Sequence, residues 1–168
     1  PSDPDWTGGS IYLDRRELAC DAGPGLLWEV VEGIGGDRGW YSFPLAWSVR
    51  GWMDRLVGGV GLRRGRRSPN RLFVGEALDF WRVEELERGR LLRLRAEMKV
   101  PGSAWLERRL TDDGAGKAVL RQLARFHPRG VTGRAYWWVL LPIHKVIWKR
   151  LAERLAAAAA AATPTVTE

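Results

Sequence analysis

The stretch from Ala77 to Phe126 constrains the fold most, because apolar residues recur there at every second position and short turns break the runs. Arg90 to Met98 alternates most clearly: Leu92, Leu94, Ala96 and Met98 share one face, and Arg93, Arg95 and Glu97 lie on the other. Ala77 to Glu84, Ser103 to Leu110 and Lys117 to Phe126 read as further strands, the last with Leu120, Gln122, Ala124 and Phe126 on one face. Glu87-Arg88-Gly89, Pro101-Gly102 and Asp112-Asp113-Gly114 supply the turns. Connections this tight join antiparallel neighbours, so the stretch predicts a meander.

The flanking segments have a different period. Ile11 to Cys20 reads as one more strand. Pro24 opens a helix in which Leu27, Val30, Val31 and Ile34 repeat at helical spacing, and Gly33, Gly35 and Gly36 stop it. A second helix follows Pro44, with Leu45, Val49, Trp52, Met53 and Leu56 as its stripe. After His127-Pro128-Arg129-Gly130 a long helix runs from a cap at Thr132 to about Leu155, with Tyr136, Leu140, Ile143, Ile147 and Leu151 as its stripe and a kink expected at Pro142. Ala156 to Ala162 continues or frays it. Strands segregated from helices predict an α+β fold, a curved antiparallel sheet wrapped around the C-terminal helix. Residues 1–10 read as a linker, 11–155 as the domain and 156–168 as an Ala-rich tail. The opening lacks an initiator Met, as a fragment or processed chain would.

Composition narrows the function classes. The single cysteine, Cys20, excludes an internal disulfide and suits a reducing cytoplasm. The longest uncharged apolar run, Ala135 to His144, is short of the roughly 20 residues that a bilayer-crossing helix needs, so the chain is expected to be soluble. Net charge is +7, which favours anionic partners or simply gives a basic surface. Ten tryptophans spread along 168 residues imply a bulky aromatic core, a lined cavity, or both.

With its elements placed, the chain resembles the START-like helix-grip superfamily, also called SRPBCC. It is similar in particular to a bacterial domain of unknown function often fused after the NAD(P)-binding domain of atypical short-chain dehydrogenases or epimerases. The resemblance rests on Trp28 to Gly36, Gly39-Trp40-Tyr41, Arg50 to Gly65, Val74 to Val83, Phe126 to Gly130, Tyr136-Trp137, Pro142 and His144, and covers about Trp6 to Leu155. It implies a Rossmann-type partner domain, expected to lie outside this chain, and no agreed chemistry.

A curved sheet closing on a helix either fills the gap or leaves an apolar pocket. The expected lining is Leu92, Leu94, Ala96, Met98, Trp105, Leu120, Gln122, Phe126, Tyr136, Leu140 and Ile143, with Glu107, in phase with Trp105, either a general base there or a solvent-facing carboxylate. The same residues could form a solid core. Gln122, on an apolar face, requires a protein or ligand partner. Arg63, Arg64, Arg66, Arg67 and Arg71 form an anion-binding candidate or a solvated basic loop. The glycine run from Gly59 to Gly65 lacks the strand-then-helix context of a dinucleotide fingerprint, with Arg64 where the third glycine belongs. His127 and His144 lack metal-site spacing, Cys20 reads as a small buried apolar residue, and Asp79 as a solvent-facing carboxylate or a second candidate base. Tyr136, Trp137, Trp138 and Trp148 with Lys145, Lys149 and Arg150 resemble an interfacial helix, against the alternative that this helix is the one gripped.

These features predict a cytoplasmic module, with no cofactor of its own, that binds a small apolar or amphipathic molecule beside a dehydrogenase-like domain. The alternatives are a pocket enzyme of proton transfer or hydrolysis, and a structural or dimerisation module with peripheral membrane contact. Nucleic acid is disfavoured, because most tryptophans fall on apolar stripes.

Overall fold

The computed structural model describes residues 11–35, 68 and 70–162. Within them the elements are β1 (Tyr12–Cys20), α1 (Pro24–Glu32), β2 (Ala77–Leu78), β3 (Trp81–Glu87), β4 (Leu91–Ala96), β5 (Gly102–Asp112), β6 (Ala118–Pro128) and α2 (Gly130–Ala161). The strands form one antiparallel sheet in the order β1-β6-β5-β4-β3-β2. The fold is therefore α+β with a long C-terminal helix, as the alternation and tight turns required. The helix expected after Pro44 lies outside the described residues. Among those described, no helix is long and apolar enough to cross a membrane.

Three local readings need correction. The strand expected over Ala77 to Glu84 is two strands, because Asp79 adopts φ 56° and turns the chain between β2 and β3. Thr132 does not cap the long helix. Arg129 occupies that position, and the Thr132 hydroxyl donates to the Arg129 carbonyl at 3.5 Å. The gripped stripe of α2 is also rotated. Trp137, Ile147, Trp148, Leu151, Ala152, Leu155 and Ala159 are buried, Tyr136 and Leu140 are half-buried, and Ile143 is exposed. Trp137 and Trp148 thus face the sheet and not a membrane.

Aspartates organise the β5–β6 turn. Asp112 Oδ1 accepts from Gly114 N at 2.6 Å, and Asp113 Oδ1 accepts from Ala115 N at 2.8 Å and Lys117 N at 3.0 Å, the side-chain mimicry of a turn that favours Asp at such sites.

Helix α2 folds back along β6. The Gln122 amide Nε2 donates to the Trp148 carbonyl at 3.1 Å, and Cys20 Sγ donates to the Ala156 carbonyl at 3.2 Å. The first tie joins β6 to the helix middle. The second joins β1 to its C-terminal half, where the chain reads Ala156 to Ala162. That alanine run is helical to Ala161, and Ala159 is wholly buried. The buried face of the helix runs from Gly133 through Trp137, Ile147, Trp148, Leu151, Ala152 and Leu155 to Ala159. Helix α1 packs against α2, β5 and β6 through Leu27, Trp28 and Val31. Burying each large apolar side chain contributes roughly 1.5–3 kcal/mol.

At the start of α2 the backbones come close. A Cβ on Gly133 would collide with the Pro101 carbonyl oxygen and stand 2.9 Å from Pro128 Cα. Both neighbours are backbone atoms that cannot swing aside. Gly133→Ala is expected to destabilise the fold by about 1–3 kcal/mol, read as a lower thermal midpoint; an unchanged midpoint would mean that the helix start is free to shift.

Candidate functional site

The sheet register sorts the inner face into rows. One row, at the end where α2 begins, runs Tyr12, Phe126, Ala104, Ala96, Trp81. Ala96 and Ala104 are neighbours one step beyond the last β4–β5 pair, Arg95 with Trp105. Rings therefore stand at both ends of this row and two methyl groups in its middle, which sinks the sheet surface there by the depth of a side chain. Phe126 and Trp81 are buried, whereas Ala96 and Ala104 keep partial exposure. Met98 lies just beyond Ala96 and packs on the core from the same side.

The helix supplies the opposite wall. Trp137 stacks on Tyr12 with ring centroids 5.0 Å apart and on Phe126 at 5.7 Å. Tyr136 tilts against Phe126 at 5.6 Å. His144 lies 6.0 Å from both Trp137 and Trp148, and Trp148 meets Trp81 edge-on at 6.4 Å. These rings link the two ends of the row through the helix. Rings thus flank a strip of inner face whose middle holds only two methyl groups, a candidate trough.

Deeper in the sheet the inner face turns polar. The row Arg16, Gln122, Arg108, Leu92 crosses four strands. Arg108 is wholly buried, and desolvation lowers its pKa to about 9, still high enough to keep it cationic at neutral pH. A buried cation must be compensated, and Arg108 does take part in an interaction. Arg16 Nη2 donates to Asp14 Oδ2 at 2.9 Å. Gln122 Oε1 is buried and has no hydrogen-bond partner among the described residues.

The expected pocket residues divide accordingly. Ala96 and Phe126 lie in the row described above, Tyr136 tilts against Phe126, Met98 packs on the core beside Ala96, and Leu140 is half-buried on α2. Leu92, Leu94 and Leu120 are wholly buried in the hydrophobic core, and Gln122 is tied to the helix. Ile143 is 54 % exposed, on the flank of α2 away from the sheet. Trp105 and Glu107 belong to the outer face, since Leu106, Arg108 and Leu110 hold the inner phase of β5. Tyr12, Trp81, Ala104 and Arg108 are not among the residues singled out from the sequence, which offers Trp137 and Trp148 only as parts of an interfacial helix. Counting Ala104, Leu106 and Leu110 against Trp105 alone would have set the phase of β5 correctly.

The other candidates separate in space. Glu107 is enclosed by arginines: its Oε2 accepts from Arg93 Nε at 3.0 Å and its Oε1 from Arg109 Nε at 2.7 Å. Burial pushes its pKa up, but the hydrogen bonds and charges of Arg109 and Arg93 outweigh burial and hold it below the ordinary carboxylate range. It is therefore an ionised structural carboxylate and not a base in the pocket. Burial raises the Cys20 thiol, which leaves it a poor nucleophile beside Ala156. His127 is exposed at the end of β6. Asp79 is buried in the β2–β3 turn, against Gly35, and does not face solvent as one reading had it. Among the described residues no group of His, Cys, Asp or Glu could hold a metal ion.

Of the arginine cluster, Arg63, Arg64, Arg66 and Arg67 lie outside the described residues. Arg71 is exposed and lines a separate cleft of about 650 Å³ with Trp28, Glu29, Glu32, Asn70 and Arg88. Its wall is ordered by Glu32, which accepts from Trp28 Nε1 at 2.7 Å and Leu72 N at 3.0 Å.

The family profile described as "Protein of unknown function (DUF2867)" matches residues 6–151. No curated protein matches the sequence. Similar solved structures include the ZhuI aromatase/cyclase from Streptomyces sp. R1128 (15 % identity, 93 % of this chain and 98 % of that one, TM-score 0.57). A truncated norcoclaurine synthase from Thalictrum flavum is also similar (11 % identity, 88 % and 92 % covered, TM-score 0.52). So is protein MLL2253 from Mesorhizobium loti (16 % identity, 91 % and 100 % covered, TM-score 0.52). At these identities the likeness is one of fold.

Because the Glu107 pKa is lowered on folding, its contribution to stability is complete above the unfolded carboxyl value and is lost as pH falls through the folded one. Glu107→Gln is expected to cost about 1–3 kcal/mol at pH 7. In urea unfolding the gap to the parent should close as the pH is taken below the ordinary glutamate range; a gap independent of pH would refute the charged-pair account.

Proposed function

Since the chain belongs to the DUF2867 family and takes the helix-grip (SRPBCC) fold, we propose that it holds a small apolar or amphipathic molecule between sheet and helix. We place it as an accessory to an NAD(P)-binding short-chain dehydrogenase-like domain, in the cytoplasm, where the lone buried thiol Cys20 is chemically stable. The observation that carries the reading is the trough: two alanines on its floor, tryptophans and phenylalanine around it, and few polar groups. Sites of this composition bind by burying ligand surface, with the sparse polar atoms fixing orientation. The helix-grip neighbours named above as an aromatase/cyclase and a norcoclaurine synthase support small-molecule binding by such a fold. The dehydrogenase partner rests on the sequence resemblance alone. For Arg71 we propose a second, anion-holding role in its cleft, where Arg88 on the same wall is paired with Glu32 at 3.8 Å.

One observation favours an enzyme reading as well. Of the titratable candidates named from sequence, His144 alone sits against the trough's rings, between Trp137 and Trp148. A proton-transfer reaction would use its imidazole. His144→Asn would then abolish turnover while leaving ligand affinity nearly intact.

The binding reading is tested by titrating the chain with an environment-sensitive fatty-acid probe, alongside Ala104→Phe, which puts a ring on the trough floor. Saturable binding by the parent and at least about tenfold weaker binding by the variant are expected, because a filled site loses the burial that drives association. The thermal midpoint of Ala104→Phe should stay near that of the parent. Equal affinity in both chains, or no saturable binding, would remove the trough as the site.

A further inference from the structure

The outward side of α2 carries a second apolar stripe. Val131, Trp138, Val139, Ile143 and Val146 are 50–80 % exposed. With Ala135 and Pro142, also exposed, they recur at the spacing of a single helix face. At about 100° per residue this face points away from the one buried by Trp137, Trp148, Leu151 and Leu155. The first half of α2 is therefore apolar on two sides, and the sheet covers one of them. A helix of that kind needs a covering for its other side.

Charge identifies the covering. From Gly130 to Ala152 the helix holds Arg134, Lys145, Lys149 and Arg150 and no acidic residue; the first is Glu153. All four cations are exposed. Arg134 and Lys145 border the stripe, and Lys149 and Arg150 continue it toward the C-terminus. An apolar band with a cationic margin suits the boundary between acyl chains and acidic headgroups, where long basic side chains reach outward to phosphate. A second copy of the chain fits less well, because a twofold contact would set these four cations against the same four.

We propose that this face of α2 is a docking surface for an anionic lipid bilayer, with the helix lying in the plane of the interface. The stripe from Val131 to Val146 spans about 22 Å of helix, which is contact along the membrane and not through it. The inference does not depend on the trough being occupied, and its test reads lipid contact alone.

Flotation of the full chain with vesicles of phosphatidylcholine containing about 30 % phosphatidylglycerol tests it, at low and at physiological salt. The chain is expected to float with these vesicles at least about tenfold more than with pure phosphatidylcholine, and less as salt rises. Val139→Asp should abolish flotation while leaving the circular dichroism spectrum unchanged, since the position is exposed. Lys145→Gln and Lys149→Gln should each weaken binding about fivefold. No flotation at low salt, or undiminished flotation of Val139→Asp, overturns the proposal. So does a parent chain that light scattering finds dimeric and Val139→Asp finds monomeric, which would assign the stripe to a second copy.

Discussion

The fold depends on how the sheet indexes the helix laid along it. Two side chains do this by donating to helix carbonyls, Gln122 to Trp148 and Cys20 to Ala156. The acceptors are eight residues apart, about 12 Å along a helix. Cys20 pairs with Ala118, four residues from Gln122 on β6, about 13 Å along a strand. The two spacings agree, so both bonds are made with α2 running antiparallel to β6. Sliding the helix by one residue would break both and bury two unpaired donors. Apolar packing alone tolerates such slippage, whereas buried directional bonds do not.

That indexing also makes the site. It sets Trp137 over Tyr12 and Phe126, and Trp148 beside Trp81, so one end of the interface is closed by rings. Between the rings the sheet offers only Ala96 and Ala104. The inner face is thus graded, with leucines and the buried Arg108 at its centre and, toward the start of α2, rings flanking two alanines.

The architecture was legible because its signals are local. Twofold alternation, Asp- and Gly-rich turns and a helix-long apolar period each point to one element type, and β1, α1 and β4 to β6 fall close to where those signals put them. The site was legible only in part. Ala96, Phe126 and Tyr136 follow from their element's period. Trp105 and Glu107 misled because a bulky aromatic outweighed three smaller apolar residues in the opposite phase. Once the phase of β5 is set by its leucines, Arg108 falls on the inner face with them, but no one-dimensional pattern announces that Asp79 reverses the chain inside an apparently continuous strand. The rotation of the α2 stripe was hidden for a related reason. Its first half is apolar nearly all round, so periodicity fixes a helix there without saying which side meets the sheet.

The close approach at Gly133 has a geometric consequence. The start of α2 is pinned against the Pro101 and Pro128 backbone, and two bonds fix the helix further along. Between those anchors the spacing of the layers rests on the bulk of Trp137 and Trp148. Trading that bulk for smaller side chains would bow the span inward like a sprung beam, and relatives would gain or lose room there while the strand framework stayed as it is.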